Sequence, residues 1–300
     1  MRVPDVFAAS GCPCWDSPPT SPETFGWQLD YVREGKILGA YVAQHFRGAK
    51  IGFLYSSDEP GLDGARGLGY EIPARQIAAA EKYDPASTAI TRQVAVLKAS
   101  GARVVVAFSG PAATVALRLA MAHLNYSPQL VVASEGSDPA TLTGLLAKAT
   151  GSGAAGALIQ GIITDSSLPP AGSPASSWIT LFRRIHHQYI PKLPFDTNVV
   201  DGMAAAYTFT EAMLRAGPNP SRQDLVNAIS GGLAQGPAVA PLGYSQASHA
   251  GITGAYIAVI RGQALVQLGP AMTTDSTPSG QVTPYTAAQP PAPASGIPPH

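Results

Sequence analysis

The sequence has little charge. Lys and Arg together number 19 of 300 residues, Asp and Glu also number 19, and charged residues make up only 13%. Soluble domains usually carry about 25%. A nucleic-acid-binding protein normally has a strongly basic surface, so the zero net charge argues against nucleic acid as a partner. Long apolar runs are also missing, which predicts that the chain does not span a membrane.

Cysteine is scarce as well. The chain has two, Cys12 and Cys14, separated by one residue. This spacing strains an intrachain disulfide, and two thiolates alone do not build a zinc site. We therefore expect two reduced thiols in a loop and no metal. The first residues also lack the apolar core of a secretory signal.

Catalytic motifs are lacking. Residues 151–156 fit G-x-G-x-x-G, but they follow a predicted helix and precede a predicted strand, the reverse of the dinucleotide-binding order. We interpret them as a helix end and a loop. His186 and His187 are adjacent on a predicted helix, so they point about 100° apart and do not share one metal. We predict a protein that is not an enzyme and has no cofactor.

What the sequence does contain is an alternation of strand-like and helix-like segments. Residues 31–46 have helical periodicity, with Arg33, Glu34 and Lys36 predicted on the exposed face. Further helices are predicted at 91–100 and 111–124. This alternation predicts an α/β fold with a parallel sheet covered on both faces. The predicted strands are 3–8, 51–55, 77–80, 104–108, 130–133 and 157–159.

The later part of the chain has a different organisation. Three helices are predicted without strands between them, at 178–189, 199–215 and 222–229, and a hairpin follows at 255–260 and 264–268. Helices without strands must cover another sheet, which indicates two lobes. Residues 270–300 are mostly Pro, Ala, Ser, Thr and Gly, a composition that predicts a disordered tail.

Small polar residues follow three of the predicted strands. In open parallel sheets, ligands bind beyond the carboxyl ends of the strands. Free N–H groups at the following helices bind carboxylates or hydroxyls, although the same residues also serve as simple helix caps. Glu135 follows an apolar strand and offers a single negative charge, which suits a ligand ammonium group. The candidate ligand-binding residues of these loops are Ser57, Asp58, Ser109, Gly110 and Glu135.

Several segments together resemble a known family. They occur in the family's order over most of residues 3–269, and they read "VPDVFAASG", "GWQLDYVREGKILGAYVAQHFRGAKIGFLYSSDEPGLDGARGLG", "LKASGARVVVAFSGPAATVALRLAMAHL", "DGMAAAYTFTEAML" and "ITGAYIAVIRGQALVQLG". The set resembles the type I periplasmic binding proteins of branched-chain amino acid ABC transporters, the Leu/Ile/Val-binding family.

The resemblance implies two α/β lobes that close like a hinge on a small ligand. Residues 1–30 and 170–236 match the first lobe, and residues 31–169 and 237–269 match the second. About the first third of a typical member has no counterpart, so we expect an N-terminally truncated chain with an incomplete first lobe. The family also implies an extracytoplasmic location, periplasmic or on the cell surface, and an ABC permease as partner.

The resemblance also implies roles for particular residues. Glu135 matches the carboxylate that holds the ligand ammonium group. Pro60 stands where an aromatic residue often lines the site, and 109–110 lie near another such position, which implies a smaller or more polar ligand than a branched-chain amino acid. The first-lobe loop that contacts the ligand matches at Ser10, Gly11 and Cys12.

The resulting functional hypothesis is a solute-binding component of an ABC importer for amino acids or related small amphipathic molecules. Two alternatives remain open at this point. The same fold serves ligand-responsive sensors or regulators in some families. An N-terminal truncation would also be compatible with a nonfunctional remnant.

Overall fold

This computed structural model describes residues 3–151 and 153–299. Within this part, the strands form two β-sheets. The strands are β1 (Asp5–Ala8), β2 (Thr24–Gly26), β3 (Ile51–Ser56), β4 (Ile77–Tyr83), β5 (Val104–Phe108), β6 (Gln129–Val132), β7 (Ile163–Ser166), β8 (Gly254–Arg261), β9 (Ala264–Thr273) and β10 (Thr283–Tyr285). The helices are α1 (Tyr31–His45), α2 (Glu59–Glu71), α3 (Thr91–Ala99), α4 (Pro111–His123), α5 (Pro139–Thr150), α6 (Ser177–Tyr189), α7 (Thr197–Ala216) and α8 (Arg222–Ser230). Within this described part, every helix is too short or too polar to cross a membrane.

The larger sheet has eight strands in the order β10-β9-β8-β7-β6-β5-β3-β4. Strands β4, β3, β5, β6 and β7 run parallel, whereas β7, β8, β9 and β10 pair antiparallel. The α/β class is confirmed, and the hairpin β8–β9 makes the sheet mixed. The carboxyl ends of β3, β5 and β6 therefore meet at one edge.

Helices cover both faces of the larger sheet. Successive residues of a strand point to opposite faces, so the apolar run of β3 sends Phe53 to one side and Leu54 to the other. Phe53 packs in a buried cluster with residues of α1 and α2 such as Leu38. Leu54 packs in a second cluster with residues of α3 and α4 such as Val94 and Leu117. Burial on both faces explains why these strands are continuous apolar runs.

Helix α2 follows Asp58, where the strand-end loop predicts a helix, although four of its 13 residues are glycine. Glycine costs about 1 kcal/mol per helical position relative to alanine. The glycines allow α1 and α2 to meet at backbone distance. A Cβ at Gly35 would strike the carbonyl oxygen of Gly64, and one at Gly67 would strike that of Val32. Close packing of the two backbones thus compensates for the low intrinsic helix propensity of α2.

The smaller sheet consists of β1 and β2, which pair in parallel. Helices α6, α7 and α8 follow one another without intervening strands, as predicted, and pack around it. One buried cluster joins Trp27, which follows β2, to Trp178 and Phe182 of α6. Another joins Phe25 of β2 to Ile229 of α8.

The predicted strand at 157–159 is wrong. These residues belong to a 3₁₀ segment, Gly153–Ile159, and the strand is β7, four residues later. Gly161, at φ +77°, turns the chain between the two. Gly151 ends α5 at φ +66°, in agreement with the interpretation of 151–156 as a helix end, while Ser152 lies outside the described residues.

The structure also differs from the predicted disordered tail. Strand β9 continues to Thr273 and pairs with β10. Further on, Trp178 Nε1 donates a hydrogen bond to the Pro290 carbonyl at 2.7 Å. The segment has few apolar side chains, so strand pairing and donors from the rest of the protein hold it in place. Lys36 Nζ donates to three of its carbonyls, those of Asp275, Thr277 and Gly280.

Candidate functional site

The carboxyl ends of β3, β5 and β6 border a cavity of about 250 Å³, here called the strand-end cavity. Ser56 and Phe108 contribute the last residues of β3 and β5 to its wall. Tyr31 and Glu34, in the first turn of α1, also line this cavity. The sheet thus places small polar loops and one helix start around a common space.

A second cavity of about 260 Å³, here called the α7 cavity, lies next to the first. It is lined by residues 165–168, at the end of β7, and by Asp201 on α7. The two cavities share Tyr31, Glu34 and Glu135 as lining residues. Glu135 therefore stands at the junction of the two cavities.

A tight turn fixes the position of Glu135, which is the middle residue of a three-residue 3₁₀ turn after β6. The next residue is Gly136, where an added Cβ would strike the Ser109 carbonyl oxygen, so the turn packs directly against the end of β5. The residue before it, Ser134, donates two hydrogen bonds of 2.7 Å to Glu34 Oε1, from its backbone N–H and its hydroxyl. Both contacts hold the Glu135 backbone against the large sheet.

The electrostatic environment of Glu135 disfavours its negative charge. Its side chain reaches solvent, but partial burial raises its pKa, and repulsion from Glu34 and Asp58 raises it further. Burial also raises the pKa of Tyr31 to about 12, again with a contribution from Glu135. A bound cation would relieve this repulsion.

Glu34 and Asp165 form a carboxyl pair beneath the junction. Both are buried, each at 2% exposure. Burial raises the pKa of both groups, which are hydrogen-bonded to each other, and the pKa of Asp165 lies well above its usual range. Two touching carboxyl groups do not both ionise, so this pair holds a proton.

Asp201 adds a further carboxyl group from α7. Burial raises its pKa from 3.8 to about 6. Of the described residues that line the two cavities, none is Lys, Arg or His. The site is therefore surrounded by carboxyl groups without a protein cation, although the whole chain is neutral; these groups are Glu34, Asp58, Glu135, Asp165 and Asp201.

The structure brings four of the predicted site residues together, since Asp58, Ser109, Gly110 and Glu135 all line the strand-end cavity. Asp58 and Gly110 are also the N-cap positions of α2 and α4, but neither makes a side-chain capping hydrogen bond. Ser57 is not among the lining residues, and its backbone N–H instead donates to the Tyr83 carbonyl at 2.8 Å. Their roles in ligand binding stay predictions.

The predicted loop at 10–12 lies beside the two cavities. Ser10 and Cys12 line a third, smaller cavity of about 60 Å³. Ser10 Oγ donates to Glu59 Oε1 at 3.0 Å, and the Gly11 carbonyl accepts from the Tyr31 N–H at 2.8 Å. The loop therefore contacts the starts of α1 and α2, which border the strand-end cavity.

The expectation of two reduced thiols differs from the structure, in which Cys12 and Cys14 form a disulfide. Cys12 is the N-cap of a 3₁₀ turn, Pro13–Trp15, so the turn folds Cys14 back toward it. Their Cα atoms are 5.0 Å apart, within the range that a disulfide spans. The 3₁₀ turn therefore brings the two Cα atoms close enough for a disulfide although only one residue separates them in sequence.

The prediction of an exposed charged face on α1 is wrong. Arg33, Glu34 and Lys36 are all buried. Arg33 Nε donates to the Thr274 carbonyl, and Lys36 is enclosed by carbonyls of the same segment, so the chain after β9 covers this face. Three charged residues within four positions are unusual in a chain with so few charges, and this clustering is the one sequence feature that could have indicated their burial.

Aromatic rings line the strand-end cavity. They do so although Pro60 occupies the position at which the family resemblance implies an aromatic residue. Pro60 itself is a lining residue, and Tyr31, Tyr83 and Phe108 supply rings from other elements. Helical and strand periodicity alone does not identify these rings as cavity residues, because they lie on three different elements. The cavity combines apolar walls with a few polar groups, as small-molecule sites do.

Comparisons with known proteins agree with this arrangement. The family model described as periplasmic binding protein matches residues 2–264. No curated protein matches the chain at a significant level. Similar solved structures include a branched-chain amino acid ABC transporter protein from Thermus thermophilus with bound valine, with a TM-score of 0.75 and 20% identity over 91% of this chain and 73% of that one.

Two further structures show the same fold. A possible leucine/isoleucine/valine-binding protein from Rhodopirellula baltica has a TM-score of 0.73 and 18% identity over 89% of this chain and 71% of that one. A fatty acid ABC transporter substrate-binding protein from Thermomonospora curvata has a TM-score of 0.70 and 18% identity over 87% and 67%. With the family match over most of its length, the chain belongs to the periplasmic binding protein family and has the type I fold.

Proposed function

We propose that this chain is the solute-binding component of an ABC importer for amino acids or related small amphipathic molecules. The family implies a small-molecule ligand, an ABC permease as partner and an extracytoplasmic location. Relatives with the same fold are described as binding valine or as fatty acid transporter components, so fold alone does not select the ligand. The single observation that carries the proposal is Glu135 at the junction of two cavities without a protein cation.

The proposal includes a division into two lobes that close on the ligand. Residues 1–30 and 170–236 would form the first lobe, around the smaller sheet. Residues 31–169 and 237–269 would form the second, around the larger sheet. The distribution of elements supports this division, because β1, β2 and α6 to α8 pack together in shared clusters.

The ligand chemistry follows from the groups around Glu135. Its carboxylate would pair with a ligand ammonium group and so offset the repulsion from Glu34 and Asp58. The first backbone N–H groups of α4 have no partner within the helix, and the helix dipole favours a negative group there. A ligand carboxylate would therefore lie beside Gly110, the N-cap of α4. The rings of Tyr83 and Phe108 would contact the apolar part.

Calorimetric titration of the full chain with L-norleucine tests the proposal. This amino acid offers an ammonium group, a carboxylate and an unbranched apolar side chain. We expect micromolar binding, about 8 kcal/mol, and at least tenfold weaker binding in Glu135→Gln. Glu81→Gln, on β4 outside both cavities, is the matched control and should bind as the parent does. Equal affinities of Glu135→Gln and the parent would contradict the assigned role of Glu135.

A further inference from the structure

The two ends of the parallel strands carry opposite charges. Because helices connect β3 to β7, the loops that follow these strands lie at the cavity end, and the loops that lead into them form the other end, here called the strand-start surface. The four loops that follow β3 to β6 contain carboxylates and no Lys or Arg; these are Asp58, Asp84, Glu135 and Asp138. The four loops that lead into the same strands contain cations and no Asp or Glu; these are Arg47, Lys50, Arg75 and Arg103.

Strand pairing brings the cations of neighbouring loops together. Lys50 and Arg103 directly precede β3 and β5, which pair in register from their first residues. The Arg103 N–H donates to the Lys50 carbonyl at 2.8 Å. Arg75 lies in the loop before β4, which pairs with β3 on its opposite side. Adjacent strands are only about 4.8 Å apart, so these cations form a row along the strand starts.

Further cations extend this row. Arg261 ends β8, which runs antiparallel to β7 and therefore finishes at the strand-start surface. Lys98 and Lys148 lie in the last turns of α3 and α5, the helices that lead into β5 and β7. These two lysines complement the helix dipoles. The loop cations and Arg261 lie outside the helices, so dipole compensation does not explain them.

The cations of the strand-start surface are exposed, and none forms an ion pair with a residue that the structure describes. The set consists of Arg47, Lys50, Arg75, Lys98, Arg103, Lys148 and Arg261. Glu71, which ends α2 at this surface, is half-buried, with its Cβ against Gly39 of α1. Like charges in a row repel one another, so a negatively charged partner would be attracted to this surface.

The shape of the strand-start surface indicates what kind of partner it fits. None of its cations lines any of the three cavities described above. A small ligand binds in a concave pocket with a few convergent polar groups. Separate exposed cations along the end of a sheet instead match an extended negative surface, and anionic lipid headgroups present such a surface to basic segments.

We propose that the strand-start surface docks the protein onto anionic lipid headgroups. The choice of lipid rests on the proposed function, because a permease partner places the chain beside a membrane. The same headgroups would repel the carboxylates at the cavity end, so both cavities would face away from the lipid and stay open to solute. Salt screens exposed charges beyond about 8 Å at physiological ionic strength, so the docking would be reversible.

Sedimentation of the full chain with phospholipid vesicles, without any amino acid present, tests the docking. At low salt we expect a partition coefficient at least tenfold higher for vesicles of phosphatidylcholine and phosphatidylglycerol, at a ratio of about 7:3, than for pure phosphatidylcholine. Binding should be lost at about 0.5 M salt. The double variant Lys50→Gln/Arg103→Gln should lower the partition coefficient at least fivefold.

Lys82→Gln/Arg92→Gln is the matched control, because it removes the same two charge types. Lys82 and Arg92 are exposed, flank the loop after β4 at the cavity end, and line none of the three cavities. This control should bind the anionic vesicles as the parent does. Urea unfolding of both double variants checks that each is folded.

The outcomes separate lipid docking from the proposed function. Equal partition onto the two kinds of vesicle, or no binding to either, overturns the docking, and norleucine binding by the same sample would leave the proposed function standing. Equal losses in the two double variants would trace the binding to net charge and overturn the assignment to the strand-start surface. Binding of poly-L-glutamate without binding of vesicles would identify an acidic protein as the partner and overturn the choice of lipid.

Discussion

The carboxyl groups of Glu34 and Asp165 are hydrogen-bonded to each other, and Glu34 also accepts two hydrogen bonds from Ser134. Burial raises the pKa of both carboxyl groups, and repulsion from Glu34 raises that of Asp165 further. The folded protein therefore binds a proton at a pH at which the unfolded chain has released it. The stability provided by this proton is present at acidic pH and is lost as the pH rises through the raised pKa of the pair.

Asp165→Asn should remove this pH dependence. The carboxamide donates an N–H group to Glu34 without taking up a proton. We expect the free energy of unfolding of the variant to exceed that of the parent by about 2 kcal/mol at pH 8, and the difference to disappear at pH 4. Urea unfolding at pH 4, 6 and 8 measures it, with Asp5→Asn as the control. A difference that stays constant with pH would contradict the shared proton.

Gly136→Ala should disrupt the turn that carries Glu135. The added Cβ would strike the Ser109 carbonyl oxygen, a backbone atom that cannot move away easily. We expect a loss of about 3 kcal/mol in the free energy of unfolding. Gly144→Ala, in α5 with no atom within 4 Å of the new Cβ, should instead gain about 0.5 to 1 kcal/mol. Similar effects of the two variants in urea unfolding would rule out the close approach at Gly136.

Lys36→Met should release the segment after β9. The substitution leaves three carbonyl groups without their common donor, at a cost of about 3 kcal/mol. Lys50→Met is the control, because exposed Lys50 donates to one carbonyl, that of Ser100. Hydrogen exchange of residues 274–282 should accelerate in Lys36→Met alone. Unchanged exchange there would show that the ammonium group does not hold the segment.

The disulfide predicts a simple thiol count. With Cys12 and Cys14 joined, a thiol reagent should find no reactive cysteine in the unfolded, unreduced protein and two after reduction. Cys12→Ser should lower the free energy of unfolding by only about 1.5 kcal/mol, because the closed loop is very short. Two reactive thiols before reduction would restore the expectation made from the sequence.

Local sequence rules predicted the larger sheet well. Strands β3, β5 and β6 were located to within one residue, because burial on both faces makes them continuous apolar runs bounded by polar loops. A helix was expected after Asp58, but the extent of α2 was not predicted, since its formation depends on the glycine-mediated contact with α1. The tail was mispredicted for the related reason that the side chains that donate to its carbonyls are distant in the chain, Lys36 by more than 200 residues and Trp178 by 112.

A site residue was predictable only where it directly follows a predicted strand of the parallel sheet. Glu135 follows the apolar strand β6, so the rule for carboxyl ends of parallel strands locates it. Asp165 lies within β7, a strand that the sequence placed elsewhere, and Asp201 lies in the interior of α7. Neither has a neighbour in sequence that reveals its partner. Their common cavity arises from contact between elements of the two sheets.

The path of the proline-rich segment limits how far the two sheets can separate. Tyr285 pairs with Ala271 in the larger sheet, and Pro290, five residues later, accepts the hydrogen bond of Trp178 on α6. Five residues reach at most roughly 17 Å even when fully extended. Residues 285–290 therefore act as a tether of fixed length between the larger sheet and α6. If the two sheets separate by more than this length, either the Trp178–Pro290 hydrogen bond breaks or β10 detaches from β9.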